Sequence, residues 1–299
     1  MRNAFAQEIT KLAIKNKKII LLSGDIGNRL FDKFKEKCKK QFYNCGVAEN
    51  NMVGVAAGLA KQGFIPYVYT ITPFLVARSY EQIKLDVCYQ NLNVKIVGTG
   101  AGLSYSRLGT THHSLDDISL MKNLPNMNVI CPGDPVEVLQ LTEQISKIKK
   151  PFYLRLGKKG EPIINKEKKI KISKLNQISR GKDVCIVSIG NMLGVGYELK
   201  NELFKKKIIA SLYSLHTVAP LNLKELKNTF SKYKKIFFME EHYHDSGIVR
   251  DVLFNLNQEF KNKKIIFQKI DKKFYTGLGE QTEARSFFKL TAKDLVKKI

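Results

Sequence analysis

Residues 44–60 read Asn-Cys-Gly-Val-Ala-Glu-Asn-Asn-Met-Val-Gly-Val-Ala-Ala-Gly-Leu-Ala. One carboxylate, Glu49, precedes an apolar helix that the pattern predicts for residues 52–61. Small side chains that allow close packing against a neighbour stand at three positions, Gly54, Ala57 and Gly58. Burial favours the neutral form of a carboxyl group, which can then share a proton with a ring nitrogen. The same acid could instead only complement the helix dipole.

Strand and helix patterns alternate outward from this helix through the first half of the chain. Strands are predicted at 18–23, 66–70, 94–98, 128–131 and 152–156. Helices are predicted at 80–89, 115–124 and 137–148. Alternation of this kind is typical of a parallel, doubly wound α/β sheet.

A Lys- and Glu-rich stretch interrupts the alternation in the middle of the chain. Residues 158–181 include Gly160 and Pro162 and are expected to form a linker. Strand patterns then resume at 183–190, 208–211, 235–240 and 264–269. The sequence therefore predicts two doubly wound α/β domains, residues 1–157 and 182–299.

The bulk composition indicates a folded protein of the cytoplasm. The chain has 299 residues, of which 43% are hydrophobic, and this is enough for two domains of ordinary size. No apolar run approaches the ~20 residues that a membrane span needs, and the first residues lack the apolar core of a signal peptide. Five scattered cysteines without a Cys-x-x-Cys pair indicate reduced thiols rather than disulfides or zinc ligands.

The net charge of +24 raises the question of nucleic-acid binding. Only eight of the 51 basic residues are Arg, the residue used for bidentate recognition of bases and phosphates, and the Lys residues are spread along the whole chain. We therefore expect neither nucleic acid nor a membrane as partner. An acidic partner subunit or a phosphorylated substrate is a better explanation of this charge.

Four further stretches carry a family resemblance together with residues 44–60. They are Gly-Phe-Ile-Pro-Tyr-Val-Tyr (63–69), Pro-Phe-Leu-Val-Ala-Arg-Ser-Tyr-Glu-Gln-Ile (73–83), Gly-Thr-Thr-His-His-Ser (109–114) and Leu-Pro-Asn-Met-Asn-Val-Ile-Cys-Pro-Gly-Asp-Pro (124–135). The ordered set resembles the thiamine diphosphate enzymes of the transketolase family, in particular the pyrimidine-binding domain shared with deoxyxylulose-phosphate synthase. The resemblance implies that the second half is a transketolase C-terminal domain.

The resemblance assigns the thiamine diphosphate contacts. Glu49 stands where the family's Glu hydrogen-bonds N1′ of the aminopyrimidine and so promotes loss of the proton on C2 of the thiazolium. Phe74 matches the aromatic ring that stacks on the pyrimidine, and Tyr80 matches a second ring. Ala77 replaces a third aromatic residue of transketolases. Asp25 falls on the family's Ser-x-Asp loop and is expected to contact the cofactor.

Two adjacent histidines are candidates for substrate contacts. His112, in Gly-Thr-Thr-His, matches the histidine that contacts the C1 hydroxyl and carbonyl region of the donor. An imidazole there can polarise the ketose carbonyl. His113 is equally titratable, but adjacent side chains usually point apart.

Four arginines complete the predicted substrate site. Arg2 precedes the loop at 23–25 as a phosphate-binding Arg does in the family, and Arg155, in Tyr-Leu-Arg-Leu, matches another. Arg29 stands where a Ser would contribute, and Arg78 could face substrate or solvent. Planar guanidinium groups suit the recognition of a phosphate.

Two departures from the family count against an ordinary pentose-phosphate substrate. Gly100 replaces a phosphate-binding His of transketolases, and Leu108 replaces an Asp that reads a sugar hydroxyl. The loop at 98–105, Gly-Thr-Gly-Ala-Gly-Leu-Ser-Tyr, is closer to the deoxyxylulose-phosphate synthase pattern.

The diphosphate half of the cofactor site is not encoded in this sequence. The diphosphate and its Mg²⁺ need oxygen ligands, which the family supplies from a Gly-Asp-Gly motif. That motif is missing here, and the resemblance begins at residue 1. We therefore expect the C-terminal subunit of a split transketolase, assembled with a diphosphate-binding subunit as a heterotetramer with the cofactor at the subunit interface.

The sequence leaves several functions open. The first is transfer of a two-carbon ketol unit from a ketose or ketose phosphate to an aldose. The second is a condensation that decarboxylates pyruvate, as in deoxyxylulose-phosphate synthase. The third is the β subunit of a 2-oxo acid dehydrogenase, against which the Gly-Thr-Thr-His-His-Ser loop counts. A basic binding module without activity is the fourth.

Overall fold

The computed structural model describes residues 1–158, 160–166 and 169–299. The strands are β1 Ile19–Ser23, β2 Phe42–Asn44, β3 Ile65–Ile71, β4 Lys95–Thr99, β5 Asn128–Ile130, β6 Phe152–Leu156, β7 Asn176–Ser179, β8 Val184–Ser188, β9 Ala210–Ser214, β10 Thr217–Ala219, β11 Lys235–Met239 and β12 Lys264–Phe267. The α-helices are α1 Arg2–Lys15, α2 Asp32–Lys37, α3 Glu49–Lys61, α4 Thr72–Arg78, α5 Tyr80–Gln82, α6 Asp117–Lys122, α7 Pro135–Ser146, α8 Leu193–Lys205, α9 Leu223–Phe230, α10 Ile248–Asn255, α11 Gln281–Phe287 and α12 Ala292–Leu295. Helix α5 continues as a π-helix over Ile83–Tyr89.

The first sheet has the order β10-β5-β6-β4-β3-β1-β2 and is parallel except for the β10–β5 pair. Its central strands are buried on both faces, which explains their nearly continuous apolar sequences. Alternate residues enter two cores. Leu21 and Val97 pack with helices α1 and α7, whereas Val68 and Ile96 pack with α3, α4 and α6. Helices therefore cover both faces of the sheet.

The second sheet has the order β12-β11-β8-β9-β7, parallel except for β7 at one edge. The two sheets with their helices confirm the prediction of two α/β domains. Strand β10 belongs to the second half of the chain but pairs with β5 at the edge of the first sheet. One strand pairing therefore joins the two domains. Among the described residues, no helix combines the length and the apolarity that a membrane span requires.

Element boundaries differ from the sequence prediction in identifiable places. Helix α3 begins at Glu49 itself, ahead of the apolar run that predicted it. Strand β7 lies inside the stretch 158–181 that was expected to be a linker. Its sequence, Asn-Gln-Ile-Ser, carries no apolar alternation because it is a short antiparallel edge strand. Lys159, Glu167 and Lys168 of that stretch lie outside the described residues.

Candidate active site

The candidate site lies where the strands of the first sheet end. Asp25 follows β1, Glu49 follows β2, Phe74 follows β3, and His112 lies in the loop after β4. The carboxyl ends of parallel strands meet at one edge of a sheet, and this is where ligands bind in open α/β folds. The topology therefore brings residues that are far apart in sequence to one edge.

Glu49 is the first residue of α3 and is only 3% exposed. Nη1 of Arg78, at the end of α4, lies 3.3 Å from Glu49 Oε2. The side-chain amide of Asn50 donates to the carbonyl oxygen of Arg78 at 2.9 Å and to Oε1 of Gln82 at 3.0 Å. These two bonds fasten the start of α3 to helices α4 and α5, so the position of Glu49 relative to Arg78 is set by backbone as well as side-chain contacts.

Phe74 connects this acid to the histidine loop, residues 102–114. Cζ of Arg78 lies 4.5 Å from the centroid of the Phe74 ring. The edge of the His112 ring meets the same phenyl ring, with centroids 4.9 Å apart and an interplanar angle of 71°. Glu49, Arg78, Phe74 and His112 thus form one continuous series of contacts. The structure brings these four predicted residues together.

The two histidines of the loop point in different directions. Nδ1 of His112 lies 2.9 Å from the Thr111 hydroxyl, whereas Nε2 of His113 lies 3.3 Å from the Ser106 carbonyl oxygen. The His113 ring faces Tyr275 of the second domain, with centroids 5.9 Å apart. Burial lowers the pKa of both histidines, and the neighbouring His113 lowers the pKa of His112 further. Both imidazoles are therefore neutral at neutral pH.

A small cavity of about 200 Å³ adjoins the histidine loop. Its wall includes Ala77 and His113 from the first domain and Tyr243, Lys273 and Tyr275 from the second. Ala77, which stands where transketolases carry an aromatic residue, is exposed here. Both domains therefore contribute to the surroundings of the predicted substrate residues.

Tyr105 is a site residue that the sequence reasoning did not single out. Its ring centroid lies 6.1 Å from that of His112, and Lys158 Nζ lies 4.7 Å from the Tyr105 ring. Burial raises the pKa of Tyr105, while the charge and hydrogen bond of Arg2 oppose that rise. Arg2 therefore lies near Tyr105. The signal in the sequence was the position of Tyr105 at the end of the Gly-rich stretch after β4.

Asp25, Arg29 and Tyr80 lie outside the series from Glu49 to His112. The exposed Asp25 has a φ of 56° and accepts a hydrogen bond from Asn44 Nδ2 at 2.8 Å. Arg29 is exposed on the same loop, with a φ of 65°. Tyr80 is half-buried and packs against the hydrophobic core. Asp25 and Arg29 remain at the same sheet edge, and both are open to solvent.

Arg155 occupies a different place from the one expected. It is 2% exposed, and its guanidinium binds Asp117 through Nε–Oδ2 at 2.7 Å and Nη2–Oδ1 at 3.1 Å. Nη2 also donates to the carbonyl oxygens of Ser114 and Glu241. Burial alone would raise the pKa of Asp117, but the Arg155 charge and hydrogen bonds bring it below its ordinary value. The expectation that Arg155 binds a substrate phosphate is therefore corrected, because the guanidinium is already enclosed by protein acceptors.

The fold is that of a known class of domains. The family model described as transketolase, pyrimidine binding domain matches residues 1–161, and the one described as transketolase, C-terminal domain matches residues 173–293. The chain belongs to the transketolase family. The resemblance found in the sequence is confirmed.

Relatives of this chain include separate transketolase subunits. It is 31% identical over 260 residues to one subunit of the apulose-4-phosphate transketolase of Phocaeicola vulgatus, a match that covers 86% of this chain and 83% of that protein. It is 33% identical to a 6-deoxy-6-sulfo-D-fructose transketolase subunit of a Clostridium species, over 74% of this chain and 70% of that protein. A solved structure described as "Split gene transketolase, inactive beta4 tetramer" aligns with a TM-score of 0.87 and 29% identity, covering 99% of this chain and 95% of that one.

An enzyme with the second predicted function is also similar to this chain. The 1-deoxy-D-xylulose-5-phosphate synthase of Dictyoglomus turgidum is 32% identical over 236 residues. The match covers 78% of this chain but only 38% of that protein. The chain thus corresponds to part of the synthase, whereas it spans most of the split transketolase subunits.

Proposed function

We propose that this chain is the C-terminal, pyrimidine-binding subunit of a thiamine diphosphate-dependent transketolase. It transfers a two-carbon ketol unit from a ketose or ketose phosphate to an aldose acceptor, together with a separate diphosphate-binding subunit. The observation that carries the proposal is the contact series from Glu49 through Arg78 and Phe74 to His112. It places a buried acid, an aromatic ring and a neutral imidazole at the carboxyl edge of a transketolase pyrimidine-binding domain.

The residues present fit the aminopyrimidine half of the cofactor. Glu49 is a buried acid that can hold a proton at a ring nitrogen, and Phe74 is a half-buried ring suited to stacking. Thiamine diphosphate, when bound, supplies the nucleophilic carbon that accepts the ketol unit. His112 then donates a hydrogen bond to the oxygens of the donor ketose, because a neutral imidazole is both a donor and an acceptor.

The diphosphate and Mg²⁺ belong, in this proposal, to the partner subunit. The sequence lacks the Gly-Asp-Gly motif, and the similar split-gene protein is described as inactive when it forms a tetramer of β chains. Both observations support a heterotetramer in which each active site draws on two kinds of subunit. We place the enzyme in the cytoplasm and in carbohydrate metabolism.

The substrate in this proposal is an anionic ketose. The names of the two similar subunits specify a phosphorylated and a sulfonated sugar, both of them anions. Arg2 and Lys158 both lie near Tyr105, whose ring is beside His112, and we assign them to the anionic group. Arg29 and His113 are second contacts, and Asp25 is a cofactor contact on the loop after β1.

The decisive experiment compares the chain alone with the chain plus a diphosphate-binding subunit from the same genome. The chain alone should show no turnover. The mixture should transfer glycolaldehyde from a ketose to an aldose and release no CO₂ from pyruvate. CO₂ release from pyruvate would favour the synthase reaction instead, and reduction of a lipoyl domain would favour the dehydrogenase. Full activity of the chain without a partner would overturn the split-subunit proposal.

A further inference from the structure

A backbone hydrogen bond joins the two ends of the loop that carries Tyr105 and His112. Ser114 N donates to the Gly102 carbonyl oxygen at 2.9 Å, an isolated antiparallel bridge between the two ends of the loop. We refer to residues 102–114 as the histidine loop. Between its ends the backbone turns through two short 3₁₀ helices, Ser106–Leu108 and Thr110–His112. The loop therefore behaves as one unit whose position depends on what holds its ends.

Glu241 of the second domain holds the first end. It directly follows Glu240 at the carboxyl end of β11, and its side chain has no exposed surface. Leu103 N donates to Glu241 Oε1 at 2.7 Å, although the two residues are 138 positions apart in the chain. A Cβ atom at Gly102, which has a φ of 60°, would lie 2.1 Å from the same oxygen. Glycine at 102 is thus required both by its backbone conformation and by the carboxylate beside it.

The second end of the loop is held by the next residues of the same segment. Tyr243 N donates to the Leu115 carbonyl oxygen at 2.8 Å. Arg155 Nη2 joins the carbonyl oxygens of Ser114 and Glu241, at 3.1 and 3.2 Å. The segment 241–243 therefore binds Leu103, near the start of the histidine loop, and Leu115, directly after its end.

The carboxylate of Glu241 is itself fixed by the second domain. Arg285 Nε, on α11, donates to Oε2, while Asn191 Nδ2 and Gln281 Nε2 donate to Oε1 at 3.2 and 3.3 Å. Burial alone would raise the pKa of Glu241, but the Arg285 charge and the Leu103 N–H bring it below its ordinary value. Glu241 is therefore an ionised acceptor in which each oxygen has at least one donor.

We propose that Glu241 is a positioning residue for substrate. Its carboxylate holds the histidine loop in the conformation that sets His112 against Phe74 and Tyr105 beside His112. The second domain thereby contributes to the reaction without touching the substrate. The kinetic part of this inference rests on the proposed function, whereas the positional part concerns this chain alone.

Glu241→Gln in the assembled enzyme tests the kinetic part. Glutamine keeps the shape but replaces one acceptor oxygen by a donor and leaves Arg285 without its counter-charge. A displacement of His112 of about 1 Å should lower kcat/KM for the ketose donor on the order of 100-fold. The dissociation constant of thiamine diphosphate should not change, because Glu49 and Phe74 lie on other elements. Equal loss of cofactor affinity, or no change in kcat/KM, would overturn the proposal.

Glu240→Gln is the matched control. Glu240 is the adjacent acid and is also buried, but its Oε2 accepts from Ile248 N at 2.8 Å, within the second domain. Its substitution should alter stability and leave kcat/KM for the donor unchanged. If both variants reduced kcat/KM alike, the effect would be a general one on the second domain, and the proposal would fail.

Hydrogen exchange of the chain alone tests the positional part and does not need activity. Amides of the histidine loop, Leu103 above all, should exchange faster in Glu241→Gln than in Glu240→Gln. Arg285→Lys, which keeps the positive charge, should show the same pattern more weakly and serves if Glu241→Gln does not fold. Unchanged exchange in the loop would overturn the role of Glu241. Absence of ketol transfer by the wild-type assembly would instead overturn the proposed function and leave the exchange result standing.

Discussion

Nη1 of Arg78 lies 3.3 Å from Oε2 of Glu49, so the acid expected to serve the cofactor already has a cation as its partner. The two ends of this pair differ in environment, since the Glu49 side chain is 3% exposed and that of Arg78 is 51% exposed. The half-exposed Arg78 side chain can move into solvent, whereas the buried Glu49 side chain cannot. Under the proposed function, a ring nitrogen of the cofactor competes with Arg78 for the Glu49 carboxyl group.

Arg78→Gln separates this role from the substrate contact that the sequence left open. If Arg78 competes with the pyrimidine for Glu49, the substitution should tighten thiamine diphosphate binding and leave the KM for the donor unchanged. Titration of the assembled enzyme with cofactor, and steady-state kinetics with the donor, measure the two quantities. A raised donor KM with unchanged cofactor affinity would show that Arg78 binds substrate instead.

Glu49→Gln tests the proton role. Glutamine fits the same space but cannot pass a proton to a ring nitrogen, so turnover of the assembled enzyme should fall by about 100-fold or more. The variant should still fold and bind the partner subunit, which size-exclusion chromatography checks. Glu81→Gln, on the exposed part of α5, is a control that should keep full turnover. A Glu49→Gln enzyme with normal turnover would remove Glu49 from the mechanism.

We expect substitutions of the two adjacent histidines to differ in their effect on kcat/KM. His112→Asn should lower kcat/KM for the donor by roughly 100-fold, while His113→Asn should have a much smaller effect, because only His112 touches Phe74. Burial lowers the pKa of His112, so kcat/KM should stay constant as the pH falls toward about 6.5 and decline only below it. A pH–rate profile of the wild type beside His112→Asn would check this. An equal loss in both variants would contradict the assignment.

The sequence indicates neighbouring residues of the candidate site where the pattern is local. Glu49, Phe74 and His112 each lie in a short stretch that follows a strand, and the parallel topology then brings the strand ends together. No short stretch of sequence indicates the contacts between the two domains. Glu241 touches Leu103 across 138 positions, and no local pattern indicates that pairing.

The correction at Arg155 has a physical reason in the geometry of β6. Both faces of that strand are buried, so its sequence does not show which side chains reach solvent. Side chains two apart in a strand share a face, and Tyr153 donates to the same Asp117 that binds Arg155. The position of Arg155 at the end of β6 suggested that it binds a ligand. The strand face that Arg155 shares with Tyr153 instead packs against helix α6. Strand β7 was missed for a related reason, since an edge strand of mostly polar residues resembles a linker in sequence.

Arg155→Met is expected to destabilise the chain. It would leave the Asp117 carboxylate buried without its cation, and breaking a buried pair from one side costs about 3–5 kcal/mol. Urea denaturation of the chain alone measures the free energy of unfolding. The double variant Arg155→Met with Asp117→Leu should recover much of the loss, because both charges are then gone. A raised donor KM with unchanged stability would restore the substrate role.

His216 gives a prediction on the pH dependence of stability. It lies just before β10, where its carbonyl oxygen accepts from Cys131 N at 2.7 Å, so it belongs to the strand pairing that joins the two domains. Its ring is fully buried, and among the described residues Nε2 has no hydrogen-bond partner, so burial lowers its pKa to about 4. The unfolded chain, with a histidine pKa near 6.5, binds a proton before the folded chain does. The stabilising contribution of neutral His216 is therefore fully present above about pH 6.5 and is lost as the pH falls toward 4. Between pH 7 and 4.5 the loss from this one group should be about 2 kcal/mol.

His216→Gln removes the titration, so urea denaturation at the two pH values should show a smaller difference for the variant than for the wild type. Equal differences would mean that His216 gains a proton in the folded chain as readily as in the unfolded one, which the enclosed ring and its unpartnered nitrogen argue against.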